Sequence, residues 1–251
     1  MLVFLMRRRR EGTTYPTGMD RARIPDRSIA TRLVRFVLWC AATLLFRIRV
    51  EGAGNVPRRG GALLVSNHIS YADSVLVGYT TPRIVRFLMW RPIYEAPLFN
   101  YFFRVLRAIP IDAASPKATV RALRAAHAEL AAGELVAIFP EGSISRNGDI
   151  GPFERGFERI LQETEAPVIP MHVRGLYGHP FSCCGGGPFK SWRKLWRPEV
   201  TIRIGAPVHE RVSPAQLRQI VADLAALQET PILSRRLLDA IDTEERSSSK
   251  C

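Results

Sequence analysis

Residues 61–73 read G-A-L-L-V-S-N-H-I-S-Y-A-D, and this stretch decides the fold. Its first part, 62–65, is a short apolar run that predicts a buried strand. A histidine, His68, and an aspartate, Asp73, follow that strand directly. Active sites of layered α/β folds lie beyond the carboxyl ends of the strands, so a strand-to-helix turn here would deliver the pair to a cleft. The alternative is a loop histidine with no chemical role.

Short apolar runs alternate with helical patterns along the rest of the chain. The runs predict strands at 62–65, 84–90, 135–139, 168–173 and 200–204. A helix is predicted over 115–132, with Ser115 as its N-cap, and a last helix begins at Ser213. This alternation predicts an α/β fold, a single layered domain over residues 51–230 with a mixed, mostly parallel sheet flanked by helices.

The composition points to a globular protein with an anionic partner. The chain has 251 residues, 47% of them hydrophobic, and a formal net charge of +13. Nucleic acid, an anionic membrane surface and phosphorylated substrates all fit that charge. Residues 1–50 carry eleven arginines against three acidic residues. We predict a basic, disordered arm over 1–27 and a C-terminal tail over 231–251.

Residues 28–50 predict an N-terminal amphipathic helix. The apolar core of this segment, 36–46, covers about 16 Å as a helix, roughly half of the hydrocarbon thickness of a bilayer. Arginines lie on both sides of it, namely Arg32, Arg35, Arg47 and Arg49. One interpretation is a membrane-interface helix with Trp39 at headgroup level. The other is a buried helix of the core. An aromatic and basic stretch, 188–198, is a second candidate for surface contact.

A second polar segment, 139–148, reads F-P-E-G-S-I-S-R-N-G and follows the predicted strand 135–139. Gly142 and Gly148 allow backbone turns that other residues resist. Ser143, Ser145 and nearby backbone N–H groups could hold an anion, with Arg146 supplying positive charge. The alternative is an ordinary glycine turn. A third segment, 166–175, is an apolar strand bounded by prolines.

Taken together and in this order, the segments resemble the glycerolipid acyltransferase family, which contains 1-acyl-glycerol-3-phosphate acyltransferase. The matching blocks are N-H-x4-D (Asn67, His68, Asp73), I-P-I-D at 109–112, F-P-E-G at 139–142 and V-I-P at 168–170. The resemblance covers about residues 50–210. Residues 142–160 resemble the branch of the family that acts on lysophospholipids.

The resemblance implies a reaction and a set of roles. His68 would take the proton from a free hydroxyl of a lysophospholipid, and Asp73 would orient His68. The acceptor would be bound by Asn67, Glu141, Gly142, Ser143 and Arg146. The acyl donor would be acyl-CoA or acyl-carrier protein, as a co-substrate. The resemblance implies that no covalent acyl-enzyme is needed. From the residues themselves we expect no metal and no cofactor.

The sequence departs from the family at the loop that would bind phosphate. Many members have arginine at the position of Ser143 or of Ile144, and Arg146 is the natural substitute here. A lyso-amino-lipid such as lyso-ornithine lipid is therefore an alternative acceptor. A basic nucleic-acid-binding protein is an alternative of another class, but no recognition module of a known type is present, so we expect no nucleic acid partner.

The remaining sequence features limit where in the cell the protein is expected. The four cysteines show neither metal-ligand spacing nor a disulfide framework, which indicates a reducing compartment. No histidine pair has metal-ligand spacing, and no nucleotide-binding motif occurs. No run reaches 18 apolar residues, so no membrane span is predicted. We expect a peripheral or monotopic protein on the cytoplasmic face of the inner or plasma membrane.

Overall fold

A computed structural model describes residues 28–184 and 197–227. Within these residues seven strands form one sheet, and seven α-helices pack around it. The strands are β1 Arg47–Glu51, β2 Ala62–Ser66, β3 Val85–Trp90, β4 Ile109–Ile111, β5 Leu135–Ile138, β6 Val168–Arg174 and β7 Glu199–Ile204. The helices are α1 Ile29–Leu45, α2 Asp73–Tyr79, α3 Arg91–Tyr94, α4 Pro97–Val105, α5 Pro116–Ala131, α6 Gly156–Leu161 and α7 Pro214–Ala226. The predicted arm 1–27, the predicted tail 231–251 and most of the stretch 188–198 lie outside the described residues.

The strand order is β1-β7-β6-β2-β5-β3-β4. The five strands from β6 to β4 run parallel to one another, whereas β7 is antiparallel to β6 and β1 is parallel to β7. The predicted α/β domain with a mixed, mostly parallel sheet is confirmed. Strand β2 lies centrally, between β6 and β5, so the residues after it emerge near the middle of the sheet edge.

The central strand is apolar throughout because both faces of the sheet are covered. All five residues of β2 are buried. Leu64 belongs to the core on the side of α2, and Leu63 belongs to the opposite core under α5, α6 and α7. Successive side chains of a strand point to opposite faces, so one short run supplies both cores.

The capping signals placed two helices correctly. Helix α5 begins after Ser115, whose hydroxyl accepts a hydrogen bond from the backbone N–H of Ala118 at 3.3 Å. Helix α7 begins after Ser213, which forms a capping box with Gln216. Helices α2, α4 and α6 were not predicted, since each has fewer than ten residues and too short a pattern for periodicity to identify.

The predicted helix over 28–50 ends earlier than expected, at Leu45. Phe46 has extended backbone angles, and Arg47–Glu51 is strand β1, paired with β7. The sequence R-I-R-V-E alternates basic or acidic with aliphatic residues, which is the period of a strand. The boundary at residue 50 was therefore wrong, and the helical part of the segment is Ile29–Leu45.

Helix α1 buries one narrow side and leaves a broad apolar side uncovered. Val34 and Ala42 are buried, and Trp39 stacks on Tyr79 of α2 with ring centroids 6.1 Å apart. The exposed apolar residues of the helix are Ile29, Leu33, Phe36, Val37, Trp39, Leu44 and Leu45. A fully buried core helix would not show such a surface. No helix in the described part of the chain has the length and hydropathy to cross a bilayer.

Candidate active site

His68 and Asp73 meet at the carboxyl end of β2. Asp73 is the first residue of α2, and its Oδ2 lies 2.8 Å from His68 Nδ1. The intervening turn brings the two side chains together although they are five positions apart in sequence. The Asp73 side chain is fully buried, whereas the His68 side chain is 19% exposed. The predicted pairing of these residues is therefore present in the structure.

Backbone donors fix the Asp73 carboxylate. Its Oδ2 also accepts hydrogen bonds from the N–H groups of Ile69, at 2.7 Å, and Ser70, at 2.9 Å. The other oxygen, Oδ1, is buried and has no hydrogen-bond partner among the described residues. His68 and the backbone N–H groups of Ile69 and Ser70 therefore provide the hydrogen bonds seen at the buried carboxyl group of Asp73, and they set its orientation.

The imidazole of His68 packs against an aromatic wall. The ring of Phe139 stacks on it with centroids 4.1 Å apart and planes 12° apart, and Phe87 stacks behind Phe139. Because Nδ1 faces Asp73, Nε2 is the ring nitrogen left for a ligand. No role was predicted for Phe139. Its position directly after a strand and before the Pro-Glu-Gly turn was the feature of the sequence that could have indicated a place at the site.

Glu141 ties two loops together. Its Oε1 accepts a hydrogen bond from the backbone N–H of His68 at 2.8 Å, and its Oε2 accepts one from Gly151 at 2.9 Å. Burial raises the pKa of Glu141, while these two hydrogen bonds and the neighbouring His68 oppose the rise. Substrate binding by Glu141 stays a prediction; in this structure its two oxygens accept from backbone amides, and the bond to His68 positions that residue.

Asn67 also has a positioning role. Its Nδ2 donates to the carbonyl of Val173 at 2.9 Å, and its Oδ1 accepts from the N–H of Val173 at 2.8 Å. The residue is 1% exposed. The prediction of substrate binding was therefore wrong for Asn67, because its amide is buried and occupied by strand β6.

The glycine turn after Glu141 carries the exposed part of the loop. Gly142 has φ +69°, a left-handed conformation that favours glycine, and its N–H donates to the carbonyl of Phe139 at 3.1 Å. Ser143 is exposed. The structure therefore leaves Ser143 accessible, whereas the N–H of Gly142 is already used within the turn.

Arg146 lies on the same loop, close to the histidine. The backbone N–H of Ser145 donates to the carbonyl of His68 at 2.8 Å, which fixes the loop beside the imidazole. Arg146 is exposed, and within residues 28–184 and 197–227 its guanidinium makes no hydrogen bond or salt bridge. Burial raises the pKa of the Cys183 thiol, and the positive charge of Arg146 opposes that rise. Arg146 thus presents positive charge between this loop and Cys183.

The loop around residues 181–183, which was not predicted from the sequence, packs beside the turn between His68 and Asp73. The backbone N–H of Tyr71 donates to the carbonyl of Phe181 at 3.0 Å, and Ser70 forms an isolated β-bridge with Ser182. Burial raises the pKa of the Tyr71 phenol, and the neighbouring Cys183 thiol adds to the rise. These contacts join positions more than 100 residues apart, and no motif marked them. In the described part of the chain, no group of three or more His, Cys, Asp or Glu side chains is placed to hold a metal ion.

Comparisons with known proteins identify a family and several relatives of this chain. A family model described as Acyltransferase matches residues 47–174, a span that contains His68, Asp73 and the loop of Arg146. The chain is 28% identical over 131 residues to a 1-acyl-sn-glycerol-3-phosphate acyltransferase of Limnanthes douglasii, covering 52% of this chain and 46% of the relative. It is 28% identical over 154 residues to a protein of the same name from Pseudomonas aeruginosa, covering 60% and 59%. The chain thus spans about half the length of these relatives.

A solved structure shares the fold. The 1-acyl-sn-glycerophosphate acyltransferase PlsC from Thermotoga maritima superposes with a TM-score of 0.61 at 27% sequence identity. The superposition covers 77% of this chain and 75% of that one.

Proposed function

Since the chain belongs to the Acyltransferase family, we propose that it moves an acyl group from acyl-CoA or acyl-carrier protein to the free hydroxyl of 1-acyl-glycerol-3-phosphate or another lysophospholipid. Two relatives named for transfer to 1-acyl-sn-glycerol-3-phosphate support this choice of acceptor.

The observation that carries the proposal is the 2.8 Å contact between His68 Nδ1 and Asp73 Oδ2. A carboxylate that accepts a hydrogen bond from Nδ1–H leaves Nε2 as the basic nitrogen, and it stabilises the imidazolium that forms when Nε2 takes a proton. The amides of Ile69 and Ser70 hold that carboxylate still. This geometry supports the proposal that His68 acts as a general base.

The proposed reaction needs one proton carrier and no covalent enzyme intermediate. His68 Nε2 takes the proton of the acceptor hydroxyl while the hydroxyl oxygen attacks the carbonyl carbon of the thioester. The resulting tetrahedral intermediate breaks its C–S bond, and the leaving thiolate takes the proton back from His68. Ester and free thiol are the products, and His68 is neutral again. A positioned general base contributes about 10² to 10⁴ in rate.

Arg146 is the proposed ligand of the acceptor phosphate. It is exposed beside His68 and has no acidic partner in the described residues, so its charge is available to an anion. A guanidinium binds phosphate oxygens through two parallel hydrogen bonds. The exposed Ser143 adds a hydroxyl on the same loop. The lack of arginine at 143 and 144 keeps lyso-ornithine lipid as the alternative acceptor.

Helix α1 is the proposed membrane contact. Its exposed apolar residues would enter the headgroup and acyl boundary. The exposed Arg32, near the start of the helix, and the exposed Arg47, two residues after its end, would face anionic headgroups. An acceptor lipid has its chain in the bilayer, so an enzyme that docks on the surface can reach the hydroxyl. We place the protein at the cytoplasmic face of the membrane as a peripheral or monotopic enzyme.

The test is acyl transfer by the purified chain in lipid vesicles. Labelled oleoyl-CoA is the donor, and lysophosphatidic acid, lysophosphatidylcholine and lyso-ornithine lipid are offered separately as acceptors. We expect product with the wild type, mostly from lysophosphatidic acid, and at least about 100-fold less with His68→Ala. The exposed His209→Ala serves as the matched control. Absence of product with both oleoyl-CoA and an acyl-carrier-protein donor would overturn the proposal.

A further inference from the structure

A polar cavity lies at the carboxyl end of α1, where β1 and β7 begin. Its volume is about 460 Å³, within the range of small-molecule sites. Its polar lining comprises Thr43, Arg47, Arg49, Tyr79, Arg197 and Glu199. None of these residues belongs to the motifs that carry the proposed reaction.

The cavity carries net positive charge. Three guanidinium groups and one carboxylate line it. Arg49 pairs with Glu51 at 3.1 Å, and that glutamate also accepts from Arg203. Arg47 and Arg197 form no salt bridge within the described part of the chain. Two cationic side chains therefore face the cavity without an acidic partner.

Arg197 is held in place by the helix. Its Nη2 donates to the carbonyl of Thr43, in the last turn of α1, at 3.2 Å. Its Nε is buried and has no hydrogen-bond partner among the described residues. Its φ of +39° is unusual for a residue with a side chain. The guanidinium is therefore fixed at the cavity, and part of its donor capacity is unused.

The cavity borders the apolar face of α1. Leu44 and Leu45 directly follow Thr43 and are 68% and 45% exposed. The cavity also lies at the same end of the sheet as His68. Strand β6 ends at Arg174, which pairs with Thr201 of the antiparallel strand β7. Glu199, two residues before Thr201, pairs with Arg47 of β1, so the cavity lies beyond the carboxyl end of β6. A bilayer that covers Leu44 and Leu45 would therefore place its headgroups at this cavity.

We propose that the cavity binds the phosphodiester headgroup of an anionic bilayer phospholipid, at a site separate from the acceptor site. The inference rests on the proposed membrane contact of α1. Guanidinium groups suit phosphate geometry, and the net charge favours anionic over zwitterionic headgroups. A lipid bound here would fix the rotation of α1 about its own axis on the membrane surface. It would also keep the end of the sheet that carries His68 facing the bilayer.

Calorimetric titration of the full chain with dihexanoyl phosphatidylglycerol, below its micelle concentration, tests the site. We expect saturable binding, at least about tenfold weaker in Arg47→Gln/Arg197→Gln, and none for dihexanoyl phosphatidylcholine. The matched control is Arg121→Gln/Arg124→Gln, which removes two exposed arginines from α5, across the sheet. Arg47→Gln alone changes an exposed side chain and should weaken binding several-fold. This single variant tests the site if the double variant does not fold.

Three results would overturn the inference. Binding that persists in Arg47→Gln/Arg197→Gln but is lost in Arg146→Gln would place the headgroup at the acceptor site. Equal loss in the α5 control would mean diffuse surface charge. Displacement by an equal concentration of inorganic phosphate would indicate a site for free phosphate. Acyl transfer to detergent-dispersed acceptor should be intact in Arg47→Gln/Arg197→Gln. If even the wild type lacks this activity, the proposed reaction has failed, and the inference about the lipid site is a separate matter.

Discussion

Asn67 and Val173 exchange two hydrogen bonds, at 2.8 and 2.9 Å, across the junction of β2 and β6. The side-chain amide of Asn67 thus acts as one more residue of the sheet ladder. It holds the turn that presents His68, the next residue, to the sheet edge. The asparagine of the N-H-x4-D motif is accordingly a structural support for the histidine in this chain.

Replacing Asn67 with alanine should destabilise the fold. The change leaves the buried N–H and carbonyl of Val173 unpaired, which costs roughly 2–4 kcal/mol of unfolding free energy. Urea denaturation followed by circular dichroism measures this. Asn67→Asp should lose at least as much, because a buried carboxylate would face the Val173 carbonyl oxygen that the Asn67 amide now donates to. An unchanged unfolding free energy together with a raised KM for the acceptor would restore a substrate-binding role.

Replacing Asp73 with asparagine should lower kcat and leave KM nearly unchanged. The amide has almost the same size but lacks the negative charge that stabilises the His68 imidazolium, so we expect a loss of at least about 100-fold. Steady-state kinetics in vesicles provide the measurement. Asp149→Asn removes an exposed carboxylate from a nearby loop and is the control. A variant with unaltered kcat would contradict the proposed role of Asp73.

Replacing Arg146 with glutamine should raise KM for lysophosphatidic acid about tenfold, since one charge-assisted contact to phosphate is lost. Arg146→Lys should recover part of the affinity, and kcat should change little. The exposed Arg155, which pairs with Glu158 at 2.9 Å, supplies the control Arg155→Gln. An equal effect on lysophosphatidic acid and on lyso-ornithine lipid would show that Arg146 does not recognise the phosphate.

Stability should fall in mild acid through His172. Burial, reinforced by the charges of Arg203 and Arg174, lowers the pKa of His172 from 6.5 to about 4. The folded state then binds fewer protons than the unfolded state, so the stabilisation is present above pH 6.5 and is lost as the pH falls through about 4. It is worth about 3 kcal/mol.

The measurement for His172 is the unfolding free energy between pH 7 and pH 4. His172→Asn should flatten this dependence, whereas His209→Asn, at an exposed position, should not. Burial also lowers the pKa of His179, which adds a contribution of the same sign to both proteins. Equal slopes for the wild type and His172→Asn would contradict the assignment.

Replacing Leu33 and Phe36 with serine should weaken vesicle binding without unfolding the chain. Both side chains are about 60% exposed, so their loss removes little core packing. Co-sedimentation should fall at least about tenfold, because each apolar side chain inserted in a bilayer contributes about 1.5–3 kcal/mol. Val34→Ser, at a buried position on the same helix, should lower the unfolding free energy instead. Undiminished binding would remove α1 from the membrane contact.

Local signals in the sequence were sufficient for much of this fold. The apolar run before His68 identified β2, and Ser115 and Ser213 identified the starts of α5 and α7. These features depend on neighbours within a few residues, where periodicity and capping chemistry act. The turn that joins His68 to Asp73 belongs to the same class, because its contacts span only five residues.

Features that depend on distant partners were not predictable. The amide of Asn67 finds Val173, 106 residues away, and only that contact shows that the side chain is unavailable to substrate. Glu141 is engaged in a similar way by His68, 73 residues away. The end of α1 at Leu45 was missed because the pairing of β1 with β7 converts residues 47–51 to a strand. Tertiary contacts decided each of these positions.

The pairing of β1 with β7 also has a consequence for how the chain is made. In the described residues β1 has no other strand beside it, and its Glu51 bonds to Arg203, 152 residues later. A ribosome therefore releases α1 and β1 before the other elements of this domain, yet β1 can pair in the sheet only after β7 has been synthesised. During that interval the apolar side of α1 is exposed without the rest of its domain, so the proposed membrane contact would be available before the sheet is complete.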